Sequence, residues 1–421
     1  MWTGDRPHPD KLICEHAEIR GFRSGTLLPI PAGVDWPEQA VERIPAREFE
    51  PPFCPHPECP AHQPEGREYR YYRHASYFRK SDGRFVPRFR CLDCGGTCSQ
   101  ATFSTTYFLK RPELLPQIAA GLQAGSAHRQ LARSLGCAPT TVMRQAARLG
   151  RHAILLLAFA LDQFDSIEES VVYDDLETFA YSQEQAMGIG TAVGSESWFG
   201  YGLECAPHRR GGRRSPAQQA KLAKKPKTFP PGAYRKAFCN TVDLLVEKLP
   251  PGGTLDVITD GHPEYREGHR THPKRHLVRH RVYPNPHRPH KGAPRSHEAI
   301  RRDQAMFPAD LQHGLMRHTL ANHGRETIAF GRRHNAVMER AFLMVVWRNF
   351  IKGRSERKPD RRTPAMLVGL TDEPWGWQRL LARRLFPSRQ ALPPGWRTFY
   401  RRDLVTPEVG RNQRHRAVYA A

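Results

Sequence analysis

Two pairs of cysteines constrain the N-terminal part of this chain more than any other feature. Cys54 and Cys59 follow the pattern C-x4-C, and Cys91 and Cys94 follow C-x2-C. Tetrahedral Zn²⁺ takes four thiolates from two tight turns, and each pair supplies one turn. The segment between the pairs alternates aromatic and basic residues around a Ser-Asp-Gly turn, which indicates a β-hairpin. Together these features predict a zinc ribbon that holds a structural Zn²⁺ ion.

Nearby residues leave some choice of ligand and of role in this module. His56 or His62 could replace one thiolate, and Cys98 is the favoured spare. The aromatic and basic hairpin either packs as a small sheet or contacts nucleic acid or protein. Composition alone does not separate these two roles.

The charge balance restricts the partners of the chain. It carries 65 Lys+Arg against 42 Asp+Glu in 421 residues, a formal net charge of +23. Such a surface attracts polyanions, of which nucleic acid is the commonest, although a soluble basic protein is the alternative. The sequence contains neither an apolar signal segment nor an apolar run of about 18 residues. We therefore expect a cytoplasmic protein that has no membrane partner.

Three helical segments follow from Arg111. A short turn, 136–139, joins the second segment to the third, and Thr140 and Thr141 occupy the N-cap and first turn of the third. This layout predicts a helix-turn-helix, although an ordinary three-helix bundle has the same pattern. The residues expected to face DNA are Thr140, Thr141, Arg144, Gln145 and Arg148. The apolar continuation of the third segment should pack against the next domain.

From Gln163 the periodicity changes from helix to strand. Three strand segments are followed by a basic loop, a helix and a fourth strand, TLDVITD. The first strand is expected to end at Asp174-Asp175 and the fourth at Asp260. This order is the ribonuclease H-like plan, in which acids at neighbouring strand ends hold two Mg²⁺ ions about 4 Å apart. Asp260 could instead begin a plain Asp-Gly turn.

A third acid should come from a later helix, and the sequence offers two candidates. Asp310 lies near an expected helix start, where the helix macrodipole also favours an acid. Glu339 lies within a strongly apolar helix and could instead pair with Arg340 or Arg348. The residue pattern leaves both candidates open.

The order of these modules resembles bacterial insertion-sequence transposases of the DDE type that have an N-terminal zinc ribbon and helix-turn-helix, from about Cys54 to about Leu370. The first acid motif of that family, Asp-Glu-Met-Trp-Ser-Phe, corresponds to DDLETF, and its second, Thr-Asp-Gly-Trp-Pro-x-Tyr, to TDGHPEY. The resemblance places the catalytic acids at Asp174, Asp260 and Asp310. The third acid is an aspartate where the family has glutamate, and both motifs lack their tryptophan.

The resemblance implies an activity and its partners. The chain would bind double-stranded DNA at element ends, cut it with Mg²⁺ or Mn²⁺ and join the ends to target DNA. It would act as a homo-oligomer on the bacterial nucleoid, with His262, Arg317 and Arg325 as helper residues. Three alternatives are an inactive or domesticated DNA-binding relative, a structure-specific nuclease of the same fold, and a zinc-ribbon transcription regulator.

The predicted fold class is therefore α/β, with a ribonuclease H-like catalytic core preceded by a zinc ribbon and an all-α helix-turn-helix domain. A His/Arg-rich insert within the core is expected to be a solvated loop or a phosphate contact. The predicted boundaries are an N-terminal extension 1–50, zinc ribbon 51–108, helix-turn-helix 109–163, catalytic domain 164–370 with the insert at about 266–302, and a basic C-terminal extension 371–421.

Overall fold

A computed structural model describes most of the chain and has a mixed α/β architecture with two sheets. Most of the predicted N-terminal extension, Arg325 and the end of the C-terminal extension lie outside the described residues. Among the described residues, no helix is both long enough and apolar enough to cross a bilayer. The described residues are 39–63, 68–224, 229–287, 290, 293–324, 327–356, 360–407 and 409–410.

The predicted hairpin is present in an N-terminal three-stranded antiparallel sheet. Its strands are β1 (Tyr71–Arg79), β2 (Arg84–Cys91) and β3 (Thr97–Ser99). The turn between β1 and β2 ends at Gly83, whose φ of 67° suits glycine better than any other residue. β1 is exposed along nearly its whole length, whereas β2 buries Val86 and Phe89.

The three predicted helical segments form helices α1 (Leu114–Gln123), α2 (His128–Ser134) and α3 (Pro139–Asp162). Gly136 ends the second segment with a φ of 58°, and Pro139 begins α3. The second half of α3 is buried on all sides, as its apolar sequence predicts.

The second sheet has five strands in the spatial order β6-β5-β4-β7-β8. β4 pairs antiparallel with β5 and parallel with β7; β5 pairs antiparallel with β6, and β7 pairs parallel with β8. The three antiparallel strands are therefore followed, after a crossover, by two parallel ones. The bounds are β4 (Val171–Phe179), β5 (Ala186–Gly194), β6 (Gly200–Pro207), β7 (Leu255–Thr259) and β8 (Val278–Val282).

Helices cover both faces of this sheet. On one face, Phe238 and Tyr265 pack their rings against Tyr173 of β4. On the other face, Met306 packs in one buried cluster with Val172 of β4. The helices of this region are α4 (Pro216–Lys224), α5 (Ala233–Val246), α6 (Pro263–Thr271), α7 (His297–Thr319) and α8 (His334–Phe350). Helix α8 lies against α3, where Gly150 leaves room for the backbone of Glu339.

The stretch 266–302, predicted as an insert, is largely part of the fold. It contains the end of α6, strand β8 and the start of α7, and β8 forms the edge of the sheet beside β7. The prediction of a solvated loop was therefore wrong for this strand, because its alternating basic residues hid a five-residue edge strand. The basic loop before α5 likewise contains α4.

The C-terminal extension packs back onto the rest of the chain. It forms the short helices α9 (Pro364–Leu367), α10 (Trp377–Leu380) and α11 (Pro394–Arg401), and Trp396 is fully buried. Phe386 joins Phe53 and Phe103 in an aromatic cluster under the first sheet. The extension therefore links the N-terminal sheet to the central core.

Candidate functional site

Asp174 lies on β4, and Asp260 directly follows β7, the neighbouring parallel strand. Val172 of β4 is in register with Ile258 of β7, and each aspartate lies two residues beyond its member of that pair. Because side chains alternate between the faces of a strand, each aspartate points to the same face as that pair. Met306 of α7 packs on this face, so both acids lie beneath α7.

β4 does not end at Asp174, as had been expected, but continues to Phe179. Its hydrogen bonds to β5 extend over that whole length, whereas its pairing with β7 stops at Val172. The expected strand end is therefore the point where β4 and β7 diverge. Beyond Val172 the two strands are no longer paired, and Asp174 lies just past this point.

The backbone around Asp260 fixes that carboxylate. Its Oδ1 accepts a hydrogen bond from the His262 backbone N–H at 3.0 Å, and its Oδ2 accepts one from Asn285 Nδ2 at 2.8 Å. Gly261 has a φ of 83°, and a Cβ there would come within 2.5 Å of Val282. The Asp-Gly turn and the strand-end acid are thus the same feature, since the turn itself orients the carboxylate.

Asp310 directly follows the buried Ala309 on α7 and lies four residues after Met306, and its side chain is 43% exposed. The helix begins at His297, so Asp310 is mid-helix and the expectation of a helix start was wrong. The sequence hid this because Pro308, which is tolerated inside α7, suggested a break. Arg302, two turns earlier on α7, forms an ion pair with Asp310.

The three aspartates influence one another electrostatically. Burial, followed by the charges of Asp260 and Asp175 and more weakly of Asp310, raises the pKa of Asp174 well above its usual range. Burial is also the main cause of the raised pKa of Asp310, which the Arg302 guanidinium opposes. Like charges near one another at partial burial are destabilising unless a cation is present.

The donor set fits a hard divalent cation, because it consists of carboxylate oxygens. The acids are nevertheless spread out. Among the residues described, only Cys54, Cys59, Cys91 and Cys94 bring three or more ligand atoms within 4.8 Å of one another. The aspartates would therefore have to draw together, or share two ions as in two-metal sites, to bind Mg²⁺ or Mn²⁺.

Glu339, the other candidate for the third acid, lies elsewhere. It is 2% exposed in α8, with Arg402 Nε at 3.0 Å and Arg151 Nη1 at 4.0 Å. Burial raises its pKa to about 7, and the two arginines oppose that shift. Its contacts connect α3, α8 and the C-terminal extension, which is a structural role.

Two residues that were not predicted contact Asp174. The Thr191 hydroxyl donates to the Asp174 carbonyl oxygen at 3.0 Å and contacts His313 Nε2 at 2.8 Å. His313 Nδ1 lies 3.8 Å from Asp174 Oδ2. The signal for His313 was its spacing, because residues three apart on a helix share a face and Asp310 had been singled out.

The predicted helper residues have local partners. His262 caps α6, with its Nδ1 accepting from the Glu264 backbone N–H at 3.3 Å, and its ring packs on Tyr234. Arg317 Nη2 donates to the Glu177 carbonyl oxygen at 3.2 Å.

The four cysteines of the zinc prediction form a compact cluster that can bind a structural metal ion such as zinc. Cys54 Sγ lies 3.6 Å from Cys94 Sγ, and Cys59 Sγ lies 3.7 Å from Cys91 Sγ. The alternative ligands stay out of the cluster. The ring nitrogens of His62 instead form hydrogen bonds, Nδ1 with the Cys54 carbonyl oxygen at 2.7 Å and Nε2 with Ser388 Oγ at 2.8 Å.

The residues expected to face DNA on α3 separate into two groups. Thr140 and Arg144 are exposed and Thr141 is partly so, whereas Gln145 and Arg148 are buried. The expectation of an outward-facing Gln145 and Arg148 was wrong, because these positions have turned towards the core. Arg148 Nη1 donates to the Thr105 carbonyl oxygen at 2.7 Å.

Comparisons of the chain with protein-family models, with curated proteins and with solved structures find no match.

Proposed function

We propose that this chain is a DNA transposase whose central domain cuts and joins DNA strands with divalent cations held by Asp174, Asp260 and Asp310. The observation that carries the proposal is that Asp174 and Asp260 each lie two residues beyond the paired Val172 and Ile258, whose sheet face is covered by the helix that bears Asp310. Two Mg²⁺ ions would there activate the attacking oxygen and stabilise the leaving one.

The topology supports a ribonuclease H-like reading of the core. Three antiparallel strands are followed by helices α4 and α5, a fourth strand parallel to the first, and a fifth strand beside it. The sequence predicted this order except for α4 and the fifth strand. It places the first and fourth strands next to each other, and these are the strands that carry Asp174 and Asp260.

The N-terminal modules support DNA as the partner. Helix α3 presents Thr140 and Arg144 at its exposed N-terminal end after a short turn, as a recognition helix would. The tip of the hairpin adds Phe78 and Phe85, which are 52% and 67% exposed and whose ring centroids lie 5.4 Å apart. Exposed aromatic rings among arginines suit contact with bases and phosphates.

One observation favours a second candidate, a DNA-binding relative that does not cut. Arg302 already neutralises Asp310, and the three acids are not gathered into a compact cluster. In such a protein Arg302 would be a permanent substitute for the metal ion. The two candidates share their DNA-binding modules and differ only in chemistry.

The experiment that separates these functions uses duplex DNA from either side of the gene, with a scrambled duplex as control. A transposase cuts at a defined position in the flanking DNA and, with Mg²⁺ or Mn²⁺, joins the 3′ end to a target plasmid. A structure-specific nuclease cuts branched DNA without regard to sequence and joins nothing. Sequence-specific binding with no cleavage in either metal would contradict the catalytic proposal and support the non-cutting relative.

A further inference from the structure

A buried histidine lies beside the carboxylate of Asp174. His313 is 9% exposed, and its Nδ1 lies 3.8 Å from Asp174 Oδ2. This is too long for a hydrogen bond. Two atoms that bind the same ion at about 2.1 Å lie at most roughly 4.2 Å apart, so the distance of 3.8 Å is within the range that one ion can bridge. His313 also follows Asp310 by three residues on α7, so both side chains lie on one face of the helix.

The hydrogen bonds around His313 assign its tautomer. The single hydroxyl hydrogen of Thr191 is donated to the Asp174 carbonyl oxygen, since a carbonyl can only accept. The 2.8 Å contact between Thr191 Oγ1 and His313 Nε2 therefore requires Nε2 to donate. In the neutral ring this leaves Nδ1 with a free lone pair, and that lone pair is on the side of Asp174.

We propose that His313 Nδ1 is a ligand of the divalent cation bound by Asp174, so that the site combines carboxylates with one imidazole. The proposal rests on the proposed function for the presence of a cation at Asp174 and Asp260. A metal-binding histidine is usually oriented by a hydrogen bond from the ring nitrogen that does not bind the metal. In His313 this is the bond between Nε2 and Thr191. An imidazole ligand shifts preference from Mg²⁺ towards Mn²⁺ and other transition metals.

The test observes the coordination of Mn²⁺ directly, in the full-length protein with its cysteine cluster loaded with zinc. Pulsed electron paramagnetic resonance of bound Mn²⁺ detects a coordinated ¹⁴N nucleus, independently of any activity. In His313→Gln the amide can still donate to Thr191, but nothing replaces Nδ1. His262→Gln is the matched control, because His262 adjoins Asp260 and its ring caps α6. Labelling histidine with ¹⁵N in the unmutated protein gives a second readout that does not depend on a variant folding.

The expected result is a ¹⁴N coupling that changes to ¹⁵N on labelling, disappears in His313→Gln and persists in His262→Gln. His313→Gln should also weaken Mn²⁺ binding by about tenfold or more, with a smaller loss for Mg²⁺. Mn²⁺ binding that requires Asp260 but shows no histidine coupling, or a coupling that survives in His313→Gln, would overturn the ligand role alone. Absence of any Asp260-dependent Mn²⁺ binding would overturn both this proposal and the proposed cation site.

Discussion

Arg302 and Asp310 form an ion pair two turns apart on α7, so the third acid of the candidate site is neutralised by its own helix. We expect Arg302→Gln to increase Mn²⁺ affinity about fivefold, because a partly exposed pair is worth about 1 kcal/mol and competes with the metal. Titration calorimetry measures this affinity. Arg270→Gln is the control, since it removes another ion pair within a helix, with Glu267 of α6. If the wild type, Arg302→Gln and the control variant bind Mn²⁺ with equal affinity, Arg302 does not compete with the cation.

The cysteine cluster should hold one zinc ion that stabilises the N-terminal sheet. Cys54→Ser is expected to remove most of the bound zinc and to lower the melting temperature, because structural zinc contributes directly to folding. Cys98→Ser should keep the metal, since Cys98 is buried outside the cluster. Elemental analysis gives the zinc content per chain. Full zinc in Cys54→Ser, or lost zinc in Cys98→Ser, would contradict this assignment.

Two arginines four residues apart on α3 should behave differently. Arg144 is exposed, so Arg144→Ala is expected to weaken DNA binding and reduce the salt dependence of the affinity by about one unit of slope. Arg148 is buried on the Thr105 carbonyl oxygen, so Arg148→Ala should cost about 1 to 3 kcal/mol of stability. Fluorescence anisotropy at several salt concentrations and urea unfolding measure the two effects. If Arg148→Ala weakened DNA binding in a folded protein and Arg144→Ala did not, α3 would contact DNA through another face.

Glu204 should make stability depend on pH. It is 5% exposed and accepts a hydrogen bond from Asn240 Nδ2 at 3.1 Å, and burial raises its pKa to about 7. The folded protein holds the proton of Glu204 more tightly than the unfolded chain does. Protonated Glu204 therefore stabilises the fold fully below the unfolded-state pKa, and this contribution is lost as the pH rises through about 7. Glu204→Gln should therefore be more stable than the wild type at about pH 8, by roughly 2 to 3 kcal/mol at most, and similar at about pH 4.

Urea unfolding of both proteins across this pH range isolates the contribution of Glu204. Glu339, whose pKa burial also raises to about 7, titrates in both proteins and cancels in the difference. The charge of Asp175 is a smaller cause of the raised pKa of Glu204, so the difference includes the interaction between these two carboxyls. A constant difference between variant and wild type at every pH would contradict the prediction.

Features with a local cause could be predicted from the sequence. The cysteine spacing predicted the metal cluster, since four thiolates in two turns have few other uses. The hairpin around Gly83 and the helices α1, α2 and α3 also follow local turn and periodicity signals. The expected N-cap at Thr140 was wrong, because α3 begins one residue earlier, at Pro139, with Ala138 as its N-cap. Asp174 and Asp260 were singled out because an acid ending an apolar strand is costly without a role.

Features that depend on tertiary contacts could not be predicted in the same way. β8 was hidden by its basic residues, since an edge strand needs only one buried neighbour. The inward turn of Arg148 depends on a carbonyl oxygen of Thr105, far along the chain. The pairing of Asp310 with Arg302 required knowing that α7 starts at His297 and runs through Pro308.

The central claim is that Asp174, Asp260 and Asp310 support metal-dependent DNA cleavage, and plasmid nicking tests it most directly. Supercoiled plasmid carrying the gene's flanking DNA is incubated with Mg²⁺ or Mn²⁺ and with the wild type, Asp174→Asn, Asp260→Asn, Asp310→Asn or Glu339→Gln. We predict wild-type nicking that falls by about 10³-fold or more in the three aspartate variants. It should persist in folded Glu339→Gln, because Glu339 pairs with Arg402 in the core. Nicking that survives Asp174→Asn and Asp260→Asn, or a wild type that binds this DNA and never nicks it, would contradict the account.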